Sequence, residues 1–423
     1  MKIVKYISGF YNLIFSSLSK RVVVFGCSLF TFHFTSGQQL ETYIEEALAN
    51  SPEIQKFELQ YQITTEKTNE VRTIPNTEIG VGYFVSEPET RTGAQKAKVS
   101  IKQMIPWFGS ITARESYASA IANAKYEDIV IAKRKLIIAV SQSYYNLYTI
   151  NAQQKILLQH IELLKTYETL ALTAVEIGKA SAVDVLRLQI RQNELSQVLA
   201  VSEQDFLAEQ TVFNTLLDRD KSIEIQIVNE LTIPSENVSF TSTTLALHPE
   251  LIKYDKLYQS VEQSELLNQK KSNPMIGFGI DYIAVSERPN MNFSDNGKDI
   301  IMPMVSLSIP LFNQKHKSKT KQNQLKQQEI KVQKQERLNT LKTALDKAIT
   351  DRKTARIRFD TQAKNLKQAK DAEEILVKSY ETGTIDFNDV LDIQELQLKF
   401  QMNQIASVKA YFNATTIINY LSN

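Results

Sequence analysis

The chain has 423 residues, 23% of them charged, with a formal net charge of +2, so no polyanion partner is implied. Only 12 glycines and 10 prolines occur, as long uninterrupted helices require. The single cysteine, Cys27, excludes an internal disulfide or a cysteine zinc cluster.

Residues 1–37 are expected to be an export signal. Lys2, Lys5, Lys20 and Arg21 precede the apolar run Val22 to Phe34, and Thr35-Ser36-Gly37 supplies small residues for cleavage, so the mature chain starts near Gln38. A rival reading is a lipoprotein signal, with Val24-Phe25-Gly26 before an acylated Cys27. The run is too short for a comfortable spanning helix, and no later segment reaches about 18 consecutive apolar residues. Any later membrane crossing must therefore be made by strands.

Beyond the signal the chain is written twice. Helix starts come first: Asn50-Ser51-Pro52-Glu53-Ile54 returns as Leu247-His248-Pro249-Glu250-Leu251, with proline in a first turn where its missing N–H is not needed. The first of these helices is expected to run unbroken from Leu40 to about Arg72. Strand pairs follow, Ile79 to Val85 with Ala97 to Ile105, and Ile276 to Val285 with Ile300 to Ile309, flanking polar loops 86–96 and 286–299. Ile276, Phe278, Ile280 and Tyr282 alternate with Gly277, Gly279 and Asp281, which suits a membrane-barrel strand or a half-buried strand of a soluble sheet. Each pair ends alike, at Ile105-Pro106-Trp107-Phe108 and Ile309-Pro310-Leu311-Phe312.

Next come two proline-free stretches, about 110–178 and 313–383, each roughly 100 Å long if continuously helical. In the second, Leu341, Leu345, Ala348, Arg352, Ala355, Phe359, Gln362, Leu366, Ala369, Glu373, Leu376 and Tyr380 are spaced alternately four and three apart, a heptad seam. Gly178 and Gly383 stop these helices. The hairpin motif from Gly178 to Asp184-Val185-Leu186 recurs from Gly383 to Asp389-Val390-Leu391, opening return helices 182–218 and 387–423. The repeats are thus 38–218 and 245–423, joined by a connecting layer, 219–244, in which Ile223, Ile225, Ile227 and Leu231 suggest a short strand. Landmarks recur at offsets of 197 (79 to 276), 204 (105 to 309) and 205 (178 to 383), the growth falling in or beside the second polar loop.

Four amphipathic strands cannot close a membrane barrel, whose smallest examples use about eight, and open strand edges in lipid are prohibitive. Several copies must share one barrel.

The duplicated proline–glutamate helix start, isoleucine–proline strand exit and glycine-marked hairpin together resemble the TolC family of outer-membrane efflux channels, over the whole mature chain. That resemblance implies a mainly helical protein with a membrane β-barrel portion: a homotrimer sharing a twelve-stranded barrel in the outer membrane of a Gram-negative bacterium, above a long coiled-coil tunnel through the periplasm. It further implies a passive exit duct, not an enzyme, for metal cations or drugs. Its partners would be a periplasmic adaptor, an inner-membrane pump of the resistance–nodulation–division type and outer-membrane lipid. The stretches Pro88-Glu89-Thr90-Arg91 and Gln103 to Gly109 resemble members serving heavy-metal pumps. By motif position Gly178, Asp184, Val185, Leu186, Gly383, Asp389, Val390 and Leu391 would form the periplasmic tip, and Asp389, Asp392 and Tyr380 a pore constriction. The family's arginine partner for that tyrosine is Ile385 here. Pro106, Trp107, Phe108, Pro310 and Phe312 would mark the strand–helix junction, where an aromatic belt anchors a barrel.

No catalytic, cofactor or metal constellation is expected: His33, His160, His248 and His316 share no metal spacing. Met275, Met291, Met302 and Met304 lie near or in the second repeat's strands and could suggest soft-metal contact, but Met302 and Met304 share a strand face and are read instead as meeting lipid or barrel wall; the run from His316 to Lys321 is read as a solvated helix face rather than a nucleic-acid patch. The alternative function is a periplasmic coiled-coil adaptor or scaffold without a pore, which leaves the alternating strands unexplained.

Overall fold

The computed structural model describes residues 36–179, 181–235, 242–312 and 314–422. The expected signal, including Cys27, lies almost wholly outside them. The first repeat comprises α1 (Ser36–Asn50), α2 (Pro52–Val71), β1 (Thr77–Tyr83), β2 (Glu89–Thr90), β3 (Gly93–Pro106), α3 (Ser110–Glu176) and α4 (Ala182–Leu216). After a 3-10 turn at Ser242–Leu247 the second follows: α5 (Pro249–Lys271), β4 (Met275–Ser286), β5 (Ile300–Ser308), α6 (Gln314–Glu381) and α7 (Phe387–Ser422).

The first helix is not continuous. Pro52 disfavours helical geometry at Ser51, whose φ and ψ are −56° and 117°, and the Ser51 hydroxyl accepts the Ile54 N–H at 3.4 Å. His248 repeats the device in α5, its Nδ1 accepting the Glu250 N–H at 3.3 Å. The first polar loop also holds a short strand, β2, paired with β3.

All strands are antiparallel in one sheet of order β1-β3-β4-β5, so the repeats join through β3 and β4. The register puts Ile79, Ile101, Ile280 and Pro303 in one row, and Val81, Val99, Tyr282 and Ile301 in the next. This apolar face is exposed over every strand. The opposite face aligns Gly80, Ser100, Asp281 and Met302, beside Glu78, Lys102, Gly279 and Met304. Asp281 is fully buried there and paired with Lys98. Met302 and Met304 therefore share one face, as the sequence suggested, and it is the polar one, opposite the exposed apolar face. On β5, Ser306 and Ser308 share the methionines' face and alternate with Val305 and Leu307, and pairing with Gly279 and Asp281 puts that face on the polar side.

Helices α3 and α6, of 67 and 68 residues, are each roughly 100 Å long. Each folds back on its return helix, and α3 also packs along α7 and α5. Leu341, Leu345, Ala348, Arg352, Ala355 and Ala369 of the heptad seam are buried. Among the described residues no helix is long and apolar enough to cross a membrane.

The described part of the connecting layer, 219–235, contains no strand. Its backbone donors find tyrosines instead. The N–H groups of Gln226, Val228 and Leu231 donate to the hydroxyls of Tyr43, Tyr144 and Tyr148 at 2.9, 3.2 and 3.1 Å, while Ile225 is buried among α1, α3 and α4. Side-chain acceptors on helices have replaced the neighbouring strand that the alternating isoleucines suggested.

Candidate functional site

The repeated motif residues lie at two hairpin tips and at the ends of the strands. At the tips Gly178 and Gly383 have φ of +72° and +75°. The Gly178 N–H donates to the Val175 carbonyl at 3.0 Å and the Lys179 N–H to that of Ala174 at 2.8 Å. Gly383 to Tyr380 and Thr384 to Ser379 repeat this at 2.8 and 3.0 Å. Both helices thus end in the same Schellman arrangement, which satisfies their last carbonyls and needs a left-handed residue. Nothing lies within 4 Å of a Cβ built on either glycine, so conformation and not crowding demands glycine there.

The return helices start differently. Ser181 and Asp184 form a capping box, the Asp184 carboxylate accepting the Ser181 N–H at 3.3 Å. Asp184 is buried against its own backbone, with Arg187 at 3.9 Å. In the second hairpin Asp386 takes over the capping, accepting the Asn388 N–H at 2.9 Å, which leaves Asp389 exposed. Asp392 is exposed too, and stands in a groove with Arg187, Arg191, Glu194 and Glu395. Val185 and Val390 are buried in the core that joins the two hairpins, whereas Leu186 is exposed. The equivalent motifs thus separate into residues that hold the tips together and residues left at the surface.

Phe387 is the pin between the hairpins. Its ring meets Tyr380 edge-on at 4.8 Å and Tyr167 at 5.8 Å. The Tyr380 hydroxyl is buried without a hydrogen-bond partner. Burial, then the charges of Asp184 and Asp386, push its ionisation upward, so it stays neutral. About two turns deeper, Tyr167 and Gln394 donate to Glu373, as does Gln397 at 2.7 Å. Sequence reasoning placed Glu373 on the seam but missed these donors; their signal is weak, because glutamine and tyrosine on a heptad flank are indistinguishable from ordinary surface residues.

Next in this polar column is His160, buried on α3, its Nε2 2.6 Å from the Gln401 side-chain oxygen. Burial holds its pKa below 6.5, with the Gln401 hydrogen bond opposing. On acidification the unfolded chain then takes up a proton before the folded one, so this contribution to stability is present above about pH 6.5 and lost as pH falls. Thermal unfolding should accordingly show lower stability at pH 5 than at pH 7.5, and His160→Phe should remove that increment. An unchanged pH slope in the variant would contradict this role.

At the strand–helix junction Pro106 is buried at the end of β3, and Trp107 and Phe108 stack edge-on at 5.9 Å. Phe108 and Phe312 are nonetheless 82% and 90% exposed. Among the described residues no group of histidines, cysteines or carboxylates could hold a metal ion.

Residues 43–211 match the family model described as outer membrane efflux protein. Over that stretch the chain is similar to the outer membrane efflux protein family. The chain is similar in structure to VceC of Vibrio cholerae, an outer membrane protein, with 15% identity, a TM-score of 0.73, and coverage of 92% of this chain and 99% of that one. It is similar to CusC at 15% identity and a TM-score of 0.75, covering 91% and 92% of the two chains. The open-state MtrE outer membrane channel of Neisseria gonorrhoeae gives 15%, 0.71, and 90% and 88%. No curated protein matches the chain.

Proposed function

We propose that three copies of this chain close a single barrel and that the tube they form is a passive exit duct. An inner-membrane pump would load it through a periplasmic adaptor. The observation that carries this reading is the sheet itself: its apolar face is exposed, and its outer strands β1 and β5 each have one unpaired edge. Lipid would cover the first, and the same strands of neighbouring copies would pair with the second. No bond is made or broken in this function, and the energy source lies in the pump.

The tip would be the gate and the docking end. Leu186 and the charged groove of Arg187, Arg191, Glu194 and Glu395 are available to an adaptor, while Asp389 and Asp392, repeated around an axis, would favour cations. Tyr380 has no arginine partner, so closure would rest on the Phe387 packing instead. Purified protein should be trimeric in detergent and conduct ions in a planar bilayer. Asp389→Ala/Asp392→Ala should lower its cation preference several-fold. A monomer soluble without detergent would overturn the channel; unchanged selectivity would remove only the aspartate ring.

A further inference from the structure

The polar face of the sheet carries a feature that an exit duct does not require. Four methionines share it: Met104 on β3, Met275 on β4, and Met302 and Met304 on β5. Two of them lie over the glycines of β4. Gly277 and Gly279 occupy successive positions of this face on β4, about 7 Å apart. A Cβ on Gly277 would lie 2.5 Å from the Met104 sulfur, and one on Gly279 would lie 3.6 Å from the Met304 methyl. The glycines thus leave a trough that thioethers from both flanking strands enter. The Ser306 hydroxyl, which lies 3.9 Å from the Met104 sulfur, adds a polar wall. The Lys102 Cγ lies 3.1 Å from where a Cβ on Gly279 would stand, and Glu78 is opposite Lys102 in register.

Thioether sulfur is a soft, polarisable donor that prefers monovalent copper and silver over hard cations. We propose that Met104 and Met304, with Met302 beside them, form a contact site for soft monovalent cations, Cu(I) or Ag(I), on the sheet's polar face. In the proposed barrel that face lines the lumen, so this inference rests on the channel reading for its place along the exit path. The site gives the path a chemical preference for soft ions.

The test uses the full-length trimer in detergent, equilibrated with silver nitrate in chloride-free buffer and assayed for bound silver by mass spectrometry of the metal. Leucine conserves volume without the sulfur. Met104→Leu/Met304→Leu should weaken silver binding at least tenfold. Gly277→Ala, which displaces the Met104 thioether, should weaken it in the same direction, and Met402→Leu on α7 should leave it unchanged. Cys27, where retained, is common to every sample and cancels in the comparison. Equal silver in the wild type and the double leucine variant would overturn the site and leave these methionines as packing groups only. Trimer content and bilayer conductance of the same preparations report separately on the channel, so a conducting trimer without methionine-dependent silver sinks this inference alone.

Discussion

Ile280→Arg should nearly abolish trimers in the outer membrane. Ile280 lies mid-strand in β4, in the outward row between Ile101 and Pro303, and is exposed. An arginine on the lipid face near the bilayer midplane costs about 2–4 kcal/mol, and the trimer would carry three of them. Val81→Arg, one row away on β1, should act alike. Ser308→Lys is the matched control, since Ser308 pairs with Met275 on the polar face and a charge there remains hydrated. Membrane fractionation with semi-native electrophoresis reads the result. Normal trimer levels in Ile280→Arg would mean that this face does not meet lipid, and the barrel proposal would fall with it.

The second large effect is expected at the tips. Valine at Gly178 and Gly383 must enter the left-handed region, at about 1–2 kcal/mol for each position, and its branched Cβ adds to that. Open space around both glycines means that alanine would suffer the conformational cost alone. The strain falls on the turn beneath which Phe387, Val185 and Val390 pack, so hairpin geometry should change while the barrel still assembles. Export of a pumped compound should drop several-fold in Gly178→Val/Gly383→Val, with trimer abundance near wild type, and by less in the double alanine variant. Full export with valine at both positions would remove the tips from the transport path.

Much of this architecture was legible because its elements are long and local. A proline-free run ending in glycine specifies helix and stop within the run itself, and α3 and α6 end within two residues of where Gly178 and Gly383 put them. Proline at 52 and 249 marked two helix starts correctly, but the first also broke a helix expected to continue, since the proline ring constrains Ser51 before it. The connecting layer misled for a different reason. Ile223, Ile225 and Ile227 alternate as a strand would, yet the hydroxyls that take its N–H groups belong to Tyr43, Tyr144 and Tyr148, far away along the chain. Asp184 and Asp389 look equivalent in the repeated motif and are not, because a serine at 181 completes a capping box around one, while Asp386 caps in place of the other.

Residue order alone determined the two long helices, their glycine stops and the amphipathic strands, because helix period, strand alternation and turn chemistry act over a few neighbours. Tertiary structure alone decided which β4 residues the methionines of β5 pair with, which carboxylates are spent on capping, and how Glu373, Tyr167 and Phe387 meet across separate helices. Those outcomes depend on pairing register and on contacts between segments up to two hundred residues apart, and no local pattern encodes which partner a side chain will find.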